Sequence, residues 1–368
     1  MDISNKKLGF GCMRLPMKNG NVNLAEFNKM IDYYMKNGFN YFDTAHGYLD
    51  GKSELAIREC LAKRYPRESY ILTNKLTKPY FASQQKIREF FNKQLEWCGV
   101  EYFDYYLMHA QDRNTYLHFQ ENNAYEECLK LKNEGKIKHL GISFHDNAEM
   151  LEKILIDHPE IEIVQIQFNY ADYESSSVQS KDVYEVCRKF NKPVLVMEPV
   201  KGGGLVNLPD EAKKMIDDLN GNCSYANYAI RFAASFDGVV EVLSGMSSSE
   251  QLKDNVDSMK EFVPLNDKEI NTLLKVGDLL RKKGGIPCTA CRYCVAGCPM
   301  RIAIPDLFSC YNAKMQFHDW NAEFYYNIHT GQNHGKASEC IKCGACETIC
   351  PQHLEIRNLL EKVKEVFE

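Results

Sequence analysis

Residues 23–54 read NLAEFNKMIDYYMKNGFNYFDTAHGYLDGKSE, and this stretch contains one complete unit of helix and strand. Its apolar residues at helical spacing are Leu24, Phe27, Ile31 and Tyr34. The spacing predicts an amphipathic helix that Asn23 caps and Gly38 ends. A short strand, NYFDTA, follows directly from residue 40. A helix followed by a strand in this way is typical of an α/β fold.

The same unit recurs about every thirty residues. The strand-like runs begin near Leu8, Asn40, Tyr70, Asp104, Ile137, Ile161, Pro193 and Val239. Ser53 and Ser83 are predicted N-caps of helices between the runs, and Gly99 and Gly135 are predicted helix ends. Because several runs are apolar throughout, they suit a parallel sheet covered by helices. Eight such units predict a closed (β/α)8 TIM barrel over residues 1–265.

A doubly wound open sheet is the alternative arrangement. It would require G-x-G-x-x-G directly after the first strand, and Gly9 and Gly11 do not supply that pattern. Gly202, Gly203 and Gly204 instead follow the seventh strand, where barrels often bind phosphate. A flexible turn explains these three glycines equally well.

Composition and charge limit the class of protein. The chain has 368 residues, 44% of them hydrophobic, which suffices for one large domain with an appendage. Its net charge of -5 is spread without long blocks of one sign, so no partner among nucleic acids or anionic membranes is indicated. The polar N-terminus lacks the apolar stretch of a secretory signal, and no window approaches about eighteen consecutive apolar residues. These features predict a cytoplasmic protein.

Two cysteine runs near the C-terminus share the spacing C-x2-C-x2-C-x3-C-P. They consist of Cys288, Cys291, Cys294 and Cys298, and of Cys340, Cys343, Cys346 and Cys350. In two-cluster ferredoxins the fourth cysteine of each run ligates the other cluster. The spacing therefore predicts two 4Fe-4S clusters with exchanged fourth ligands. One set is Cys288, Cys291, Cys294 and Cys350, and the other is Cys340, Cys343, Cys346 and Cys298.

Zinc is the competing ligand, since two Cys-x2-Cys pairs can form a tetrahedral thiolate site. Zinc would leave the third and fourth cysteine of each run unexplained. Disulfides fit worse, because closely spaced cysteines cannot easily pair across a fold. The seven remaining cysteines are scattered along the chain, which is typical of a reduced, intracellular protein.

The region after the barrel is predicted to form a separate, mainly helical module. A helix from about Asp267 to Lys283 lies within a linker, residues 266–286, that precedes a ferredoxin-like iron-sulfur domain over residues 287–368. The aromatic-rich segment between the cysteine runs is patterned as two short helices. A last amphipathic helix is predicted from Leu354 to Phe367.

Four polar residues lie at or just beyond the carboxyl ends of the second, third and fourth predicted strands: Asp43, Tyr48, Lys75 and His109. In a barrel those ends converge on the active-site face. Hydride delivery to a carbonyl leaves negative charge on oxygen, which Tyr48 could protonate. Lys75 would lower the tyrosine pKa, and Asp43 would be its counter-charge. His109 could donate a hydrogen bond to the substrate oxygen.

Each of these four residues also has a structural explanation, such as a solvated strand end or a buried core histidine. Their joint occurrence at the ends of consecutive strands favours a catalytic site. The stretch DTAHGYLDGKSE at residues 43–54, followed by Lys75 and His109, resembles the aldo-keto reductase motif DTAxxYxxGxSE with its lysine and histidine strand ends. With the cysteine runs, the chain is similar to the branch of that family that has a ferredoxin-like C-terminal domain.

The resemblance implies an NADP or NAD site in which Ser143 and Gln165 hold the carboxamide and residues 244–255 hold the adenine end. The candidate cofactor-binding residues are Ser143, Gln165, Met197, Gly202, Gly203, Gly245, Gln251 and Asn255. Met197 stands where many members of the family place a tyrosine under the nicotinamide ring, and Phe144 stands where they place an asparagine. Gly245 and Gln251 stand where basic residues often hold the 2'-phosphate, so NAD is an alternative to NADP.

Three functions follow from these features. The first is an oxidoreductase that transfers hydride between a nicotinamide and a small carbonyl or alcohol substrate, with clusters able to exchange electrons. The second adds FMN and a ferredoxin-like electron carrier as partner, because a flavin links one-electron and two-electron chemistry. The third is an electron-transfer or redox-sensing protein with a non-catalytic barrel. Clusters that only stabilise the module are a further alternative.

Overall fold

The chain separates into two units. The computed structural model describes residues 6–175, 178–221, 223–282, 285–286, 288, 292–319, 321–331, 333–350 and 353–368. Unit 1 comprises Met1–Asn169, Ser180–Pro199 and Asn222–Asn266, and unit 2 comprises Tyr170–Gln179, Val200–Gly221 and Asp267–Glu368.

Unit 1 is built around a closed barrel of eight parallel strands, as predicted. The strands of the chain are β1 (Leu8–Gly11), β2 (Met17–Lys18), β3 (Asn21–Val22), β4 (Tyr41–Asp43), β5 (Ile71–Leu76), β6 (Phe103–Gln111), β7 (Ile137–Phe144), β8 (Ile163–Gln167), β9 (Val194–Met197) and β10 (Val239–Gly245). The order around the barrel is β1-β10-β9-β8-β7-β6-β5-β4, and β2 and β3 form a separate antiparallel hairpin that was not predicted. Parallel pairing brings all eight carboxyl ends to one rim.

Sixteen α-helices occur among the described residues. They are α1 (Leu24–Lys36), α2 (Lys52–Ile57), α3 (Gln84–Cys98), α4 (Arg113–Glu121), α5 (Ala124–Asn133), α6 (Ala148–Asp157), α7 (Ser180–Lys189), α8 (Asp210–Asp217), α9 (Tyr225–Ala234), α10 (Ser249–Met259), α11 (Asp267–Lys282), α12 (Tyr293–Ala296), α13 (Ile304–Phe317), α14 (Asn321–Thr330), α15 (Ala345–Thr348) and α16 (Ile356–Phe367). Short 3₁₀ helices cover Cys12–Arg14, Tyr48–Gly51, Arg67–Ser69, Lys78–Tyr80, Lys201–Gly203 and Ala337–Glu339, and a π-helical segment, Arg58–Ala62, continues α2.

Most of the predicted helix caps are confirmed. The Asn23 side chain accepts a hydrogen bond from the backbone of Glu26, and Ser83 caps α3 in the same way. Gly38, Gly99 and Gly135 all have positive φ where α1, α3 and α5 end. This is the left-handed conformation that glycine adopts at helix ends.

One predicted cap is wrong. Ser53 does not cap α2, because left-handed Gly51 precedes the helix and Ser53 is its second residue. The Ser53 hydroxyl instead donates to the backbone oxygen of Cys12 at 2.8 Å. Leu24, at the first position of α1, remains 41% exposed, whereas Phe27, Met30, Ile31 and Tyr34 are buried.

The barrel interior is filled by large side chains at its middle. They are Tyr41, Tyr105, Leu107, Ile163, Leu195 and Leu243. Gly141 has no room for a side chain there, since a Cβ would lie 2.6 Å from Ile163. Glu241 is also fully buried, and neither of its carboxylate oxygens has a hydrogen-bond partner among the described residues. Burial raises the pKa of Glu241 well above its usual value, although Lys7 opposes this shift.

Unit 2 has a core of its own. Ile302, Leu307 and Phe308 are buried in it, and the ring of Tyr326 stacks on Phe367 with 4.5 Å between centroids. The two helices predicted between the cysteine runs are α13 and α14, and the last predicted helix is α16. No helix within the described ranges is both long and apolar enough to cross a bilayer.

Two segments that leave the carboxyl ends of β8 and β9 belong to unit 2. Lys201 in the second segment is 2.8 Å from an Asp172 carboxylate oxygen in the first, and both side chains are buried. The Lys201 ammonium also lies over the ring of Phe317 from α13, 4.7 Å from its centroid. Arg281 of α11 donates to the backbone oxygen of Ala171 at 2.7 Å. These contacts join both segments to the helices of unit 2.

Candidate active site

Lys75 lies at the centre of a buried polar cluster at the barrel rim. Its Nζ donates to Asp43 Oδ1 at 2.5 Å, to the backbone oxygen of Thr44 at 3.0 Å and to Tyr48 Oη at 3.1 Å. Lys75 is fully buried and Asp43 almost so. An ammonium has three donors, and all three are used here. Because Tyr48 Oη accepts from Lys75, the tyrosine keeps its own proton for another acceptor.

His109 lies beside Tyr48 at the end of β6. The two rings meet edge to face, with 6.1 Å between centroids and 81° between planes. The pairing of β6 with β7 is irregular between Met108 and Gln111, and Ala110 has a φ of +51°. A bulge of this kind redirects the neighbouring side chain. The structure thus brings all four predicted catalytic residues together.

The pKa of Tyr48 lies above its ordinary value of 10.0 because burial raises it more than Lys75 lowers it. Lys75 lowers the tyrosine pKa as predicted, but the sequence does not show how strongly burial penalises the phenolate, and burial outweighs the effect of Lys75. Tyr48 is protonated at neutral pH. In this state it can act as a proton donor.

Lys75 and His109 hold defined charge states. Burial by itself lowers the pKa of Lys75, but the Asp43 carboxylate and the Tyr48 hydroxyl together raise it above its usual value. Burial, with Lys75 and His145 nearby, lowers the pKa of His109 well below its usual value. At neutral pH the site therefore contains an ammonium and an uncharged imidazole.

The loop that carries Tyr48 is anchored on both sides. Leu49, Asp50 and Gly51 have φ of 53°, 55° and 81°, a left-handed run that is costly for the two non-glycine residues. His46 Nδ1 lies 2.6 Å from Glu54 Oε2.

Glu54 is itself fully buried and holds neighbouring groups. Its Oε1 accepts from Asn74 Nδ2 at 2.9 Å and from Gln94 Nε2 at 3.1 Å. The ring of His46 stacks on Trp97 with 4.3 Å between centroids. These contacts fix the strained loop and, with it, the position of Tyr48.

Ser143 and Gln165 are paired directly across β7 and β8. Gln165 Nε2 donates to the second carboxylate oxygen of Asp43 at 3.1 Å, which ties this pair to the catalytic cluster. The Ser143 hydroxyl is buried and has no hydrogen-bond partner among the described residues. A buried polar group of this kind is costly unless something pairs with it. These two side chains fit the carboxamide group of a nicotinamide.

The predicted adenine-binding segment, residues 244–255, covers the end of β10 and most of α10. The buried Asn255 donates to Ser244 Oγ at 2.9 Å, and Gln251 Oε1 accepts from the backbone of Ser247 at 2.8 Å. Gly245 is the last residue of β10. The structure holds Gly245, Gln251 and Asn255 in one local arrangement.

The other predicted cofactor residues are more dispersed. Met197 is the last residue of β9 and is half-buried. Gly202 and Gly203 belong to unit 2, where they form a 3₁₀ helix with Lys201, and both have positive φ. They are not part of the unit that contains the other candidates.

Arg14 is a basic residue beside the predicted adenine-binding segment, and the sequence analysis did not include it. Its side-chain carbons lie 3.2 to 3.5 Å from the point where a Cβ on Gly245 would stand. Ser247 Oγ donates to its backbone oxygen at 2.9 Å, and its guanidinium is 3.8 Å from Glu198. Arg14 follows the first strand in GFGCMRL, so the rule applied to the other strand ends would have indicated it.

Four cysteines in unit 2 line one pocket. They are Cys298 from the first run and Cys340, Cys343 and Cys346 from the second. Met300, Ile302, Leu360 and Arg357 complete much of the lining. This is one of the two predicted ligand sets, and thiolates in apolar surroundings fit an iron-sulfur cluster. In the other set, Cys288, Cys294 and Cys350 pack in the same module, and Cys291 lies outside the described residues.

The comparison with protein families matches both parts of the chain. The model of the aldo/keto reductase family matches residues 7–278. The chain belongs to the aldo/keto reductase family. A second model, that of a 4Fe-4S dicluster domain, matches residues 287–354 of this aldo/keto reductase. That match favours iron-sulfur clusters over zinc as the occupant of the cysteine runs.

Curated relatives of this aldo/keto reductase are distant in sequence, but they align with it over nearly their whole length. The NADH-specific methylglyoxal reductase of Escherichia coli (strain K12) is 24% identical over 328 residues, which cover 76% of this chain and 97% of the relative. An uncharacterized oxidoreductase of Bacillus subtilis (strain 168) is 24% identical over 300 residues, covering 74% and 92%.

Solved structures share the barrel fold. The holo form of an aldo-keto reductase from Bacillus halodurans aligns with a TM-score of 0.59 and 24% identity, covering 75% of this chain and 95% of its own. An aldo-keto reductase from Klebsiella pneumoniae in complex with NADPH aligns with a TM-score of 0.57 and 19% identity, covering 73% and 90%. The chain is an aldo/keto reductase-like oxidoreductase with the barrel of its family.

Proposed function

We propose that this oxidoreductase transfers hydride between a nicotinamide cofactor and a small carbonyl or alcohol substrate. The observation that carries this proposal is the Lys75 ammonium, which bonds to the Asp43 carboxylate and to the Tyr48 oxygen while His109 lies beside the phenol. The name of the Escherichia coli relative and the NADPH complex of the Klebsiella enzyme support a nicotinamide and a carbonyl substrate.

A bound nicotinamide would supply the hydride. The protein groups manage the charge that then develops on the carbonyl oxygen. Tyr48 donates its proton to that oxygen, and Lys75 stabilises the phenolate that remains. Asp43 keeps Lys75 charged, and His109 donates a hydrogen bond that orients the substrate. Because the pKa of Tyr48 is raised, its proton stays in place until the oxygen becomes basic.

The cofactor would be held along the barrel rim. Ser143 and Gln165 would take the carboxamide, which would give the buried Ser143 hydroxyl its missing partner. Arg14, beside Gly245, would place a guanidinium next to a phosphate of the dinucleotide. This arginine would supply the positive charge that Gly245 and Gln251 do not provide, so the proposal includes NADP as well as NAD.

We further propose that the C-terminal domain holds two 4Fe-4S clusters that exchange single electrons. The position of Cys298 supports this, because it reaches from the first run into the pocket of the second, as the exchanged fourth ligand requires. Anaerobically purified protein should contain about eight irons and about eight sulfides per chain. Flavin absorbance in the same preparation would favour the FMN-containing alternative.

The catalytic assignment is tested with Tyr48→Phe. We expect steady-state oxidation of NADH or NADPH by methylglyoxal and other small carbonyls to fall about 10³-fold, because the proton donor is lost while its ring remains. Tyr33→Phe is the matched control, since the Tyr33 hydroxyl on α1 donates to Asp257 at 3.4 Å, on the outside of the barrel.

Equal activity of Tyr48→Phe and Tyr33→Phe would contradict the assignment of Tyr48 as the acid. Failure of the wild-type protein to bind either nucleotide in a fluorescence titration would contradict the nicotinamide proposal itself. Nucleotide binding by both variants with the loss of turnover confined to Tyr48→Phe would support both parts.

A further inference from the structure

His109 can serve a carbonyl oxygen only in one of its two neutral forms. At neutral pH the imidazole carries a single ring proton, because the low pKa of His109 keeps it uncharged. With that proton on Nε2, this nitrogen is a hydrogen-bond donor; with the proton on Nδ1, Nε2 presents a lone pair. An oxygen that gains negative charge needs the donor form.

The contact made by Nδ1 determines which form is present. Nδ1 lies 2.7 Å from Thr77 Oγ1, a distance typical of a strong hydrogen bond. Thr77 follows β5 two residues after Lys75, and the pairing of Leu76 with Met108 in β5 and β6 brings it level with His109. The hydroxyl can either donate to Nδ1 or accept from it. These two orientations correspond to opposite tautomers of the ring.

We propose that Thr77 donates its hydroxyl proton to Nδ1 of His109 and thereby keeps the ring proton on Nε2. Thr77 is then a positioning residue, which acts on the substrate only through the histidine. The inference deepens the proposed carbonyl reduction and rests on it for the role of the Nε2 proton. The backbone oxygen of His109 accepts from Gln111 Nε2 at 3.3 Å, so the residue is held from a second side.

The proposed role of Thr77 depends on its hydroxyl. Substitutions can therefore distinguish this role from the packing of the side chain. Thr77→Val keeps the branched shape and removes the hydroxyl. Thr77→Ser keeps the hydroxyl and removes a methyl group. Thr272→Val is the matched control, because the Thr272 hydroxyl donates to the backbone oxygen of Lys268 within α11.

The test is a long-range proton–nitrogen correlation spectrum of the full-length holoenzyme with nitrogen-15-labelled histidine. The resonances of His109 are assigned by their loss in His109→Gln. We expect the wild type, Thr77→Ser and Thr272→Val to show the Nε2-protonated form. Thr77→Val should show a mixture of the two neutral tautomers. Its kcat/KM should be about tenfold lower than that of the wild type.

Two results would overturn the proposal. One is a wild-type spectrum with the proton on Nδ1, since Thr77 would then be an acceptor. The other is a Thr77→Val enzyme that keeps both the wild-type tautomer and the wild-type kcat/KM. If the wild type reduces no carbonyl, the proposed function fails, but the spectra still decide whether Thr77 sets the tautomer.

Discussion

The barrel rim of unit 1 and the cysteine pocket of unit 2 differ in what pairs with their polar side chains. At the rim, Lys75 and Gln165 bond to the two carboxylate oxygens of Asp43, so the charges are paired by the protein alone. In unit 2, four cysteine side chains line one pocket, where the proposed iron-sulfur cluster would bind them. The rim is preorganised by its own side chains, whereas the pocket would be completed by the proposed cluster.

The strongest test of preorganisation removes the lysine. Lys75→Met should lower kcat/KM at least about 10³-fold and reduce the free energy of unfolding by about 3–5 kcal/mol, because it leaves the Asp43 carboxylate buried without its counter-charge. Lys63→Met on the protein surface is the control for both measurements.

A double variant separates the two effects. Adding Asp43→Asn to Lys75→Met should recover much of the lost stability, since no buried charge then remains, but none of the activity. Denaturant titration and steady-state kinetics measure the two quantities. Recovery of activity in the double variant would show that Lys75 serves only to neutralise Asp43.

The cysteine pocket, unlike the rim, should depend on its bound iron. Cys346→Ser should remove roughly half of the bound iron, because it takes one ligand from one of two clusters. Hydrogen exchange should increase in residues 293–368 while β4–β8 keep their protection. Cys223→Ser, at a half-buried cysteine of unit 1, should retain all of the iron. Full iron content in Cys346→Ser would contradict the ligand set.

A smaller effect on stability is expected at Glu241, whose buried carboxyl group has no hydrogen-bond partner among the described residues. The pKa of Glu241 is raised by burial, so the folded state keeps its proton while the unfolded state loses it near the usual value of 4.5. The stability of the wild type therefore falls as pH rises above that value.

Glu241→Gln removes this titration. Its stability relative to the wild type should increase steadily as pH rises from about 5 to about 8, as measured by denaturant titration. Glu149→Gln, on the exposed face of α6, should show no such trend. A pH-independent difference for Glu241→Gln would mean that the carboxyl is ionised in the folded barrel.

Patterns along the chain were sufficient to predict the eight barrel strands and the grouping of Asp43, Tyr48, Lys75 and His109. Strand ends converge in any parallel barrel, so position along the chain was enough. The sign of the Tyr48 pKa shift was not predictable, because it depends on how much solvent the folded site excludes.

Contacts between residues of different strands could not be predicted from the sequence either. Arg14 beside Gly245 and Thr77 beside His109 join residues whose proximity follows from register and side-chain direction rather than from spacing. Ser53 has the residue type of a cap, but left-handed Gly51 starts the helix earlier. Local patterns therefore predicted the elements, and their packing determined the chemistry of individual side chains.

The central claim is that this rim moves hydride to a carbonyl carbon. Its most direct test is a single turnover with methylglyoxal, or with a better carbonyl substrate found by screening, and a nicotinamide cofactor that carries deuterium at both C4 positions. Mass spectrometry of the alcohol should show one deuterium bound to carbon in the wild type and no product from Tyr48→Phe on the same timescale. An alcohol without deuterium would contradict the claim.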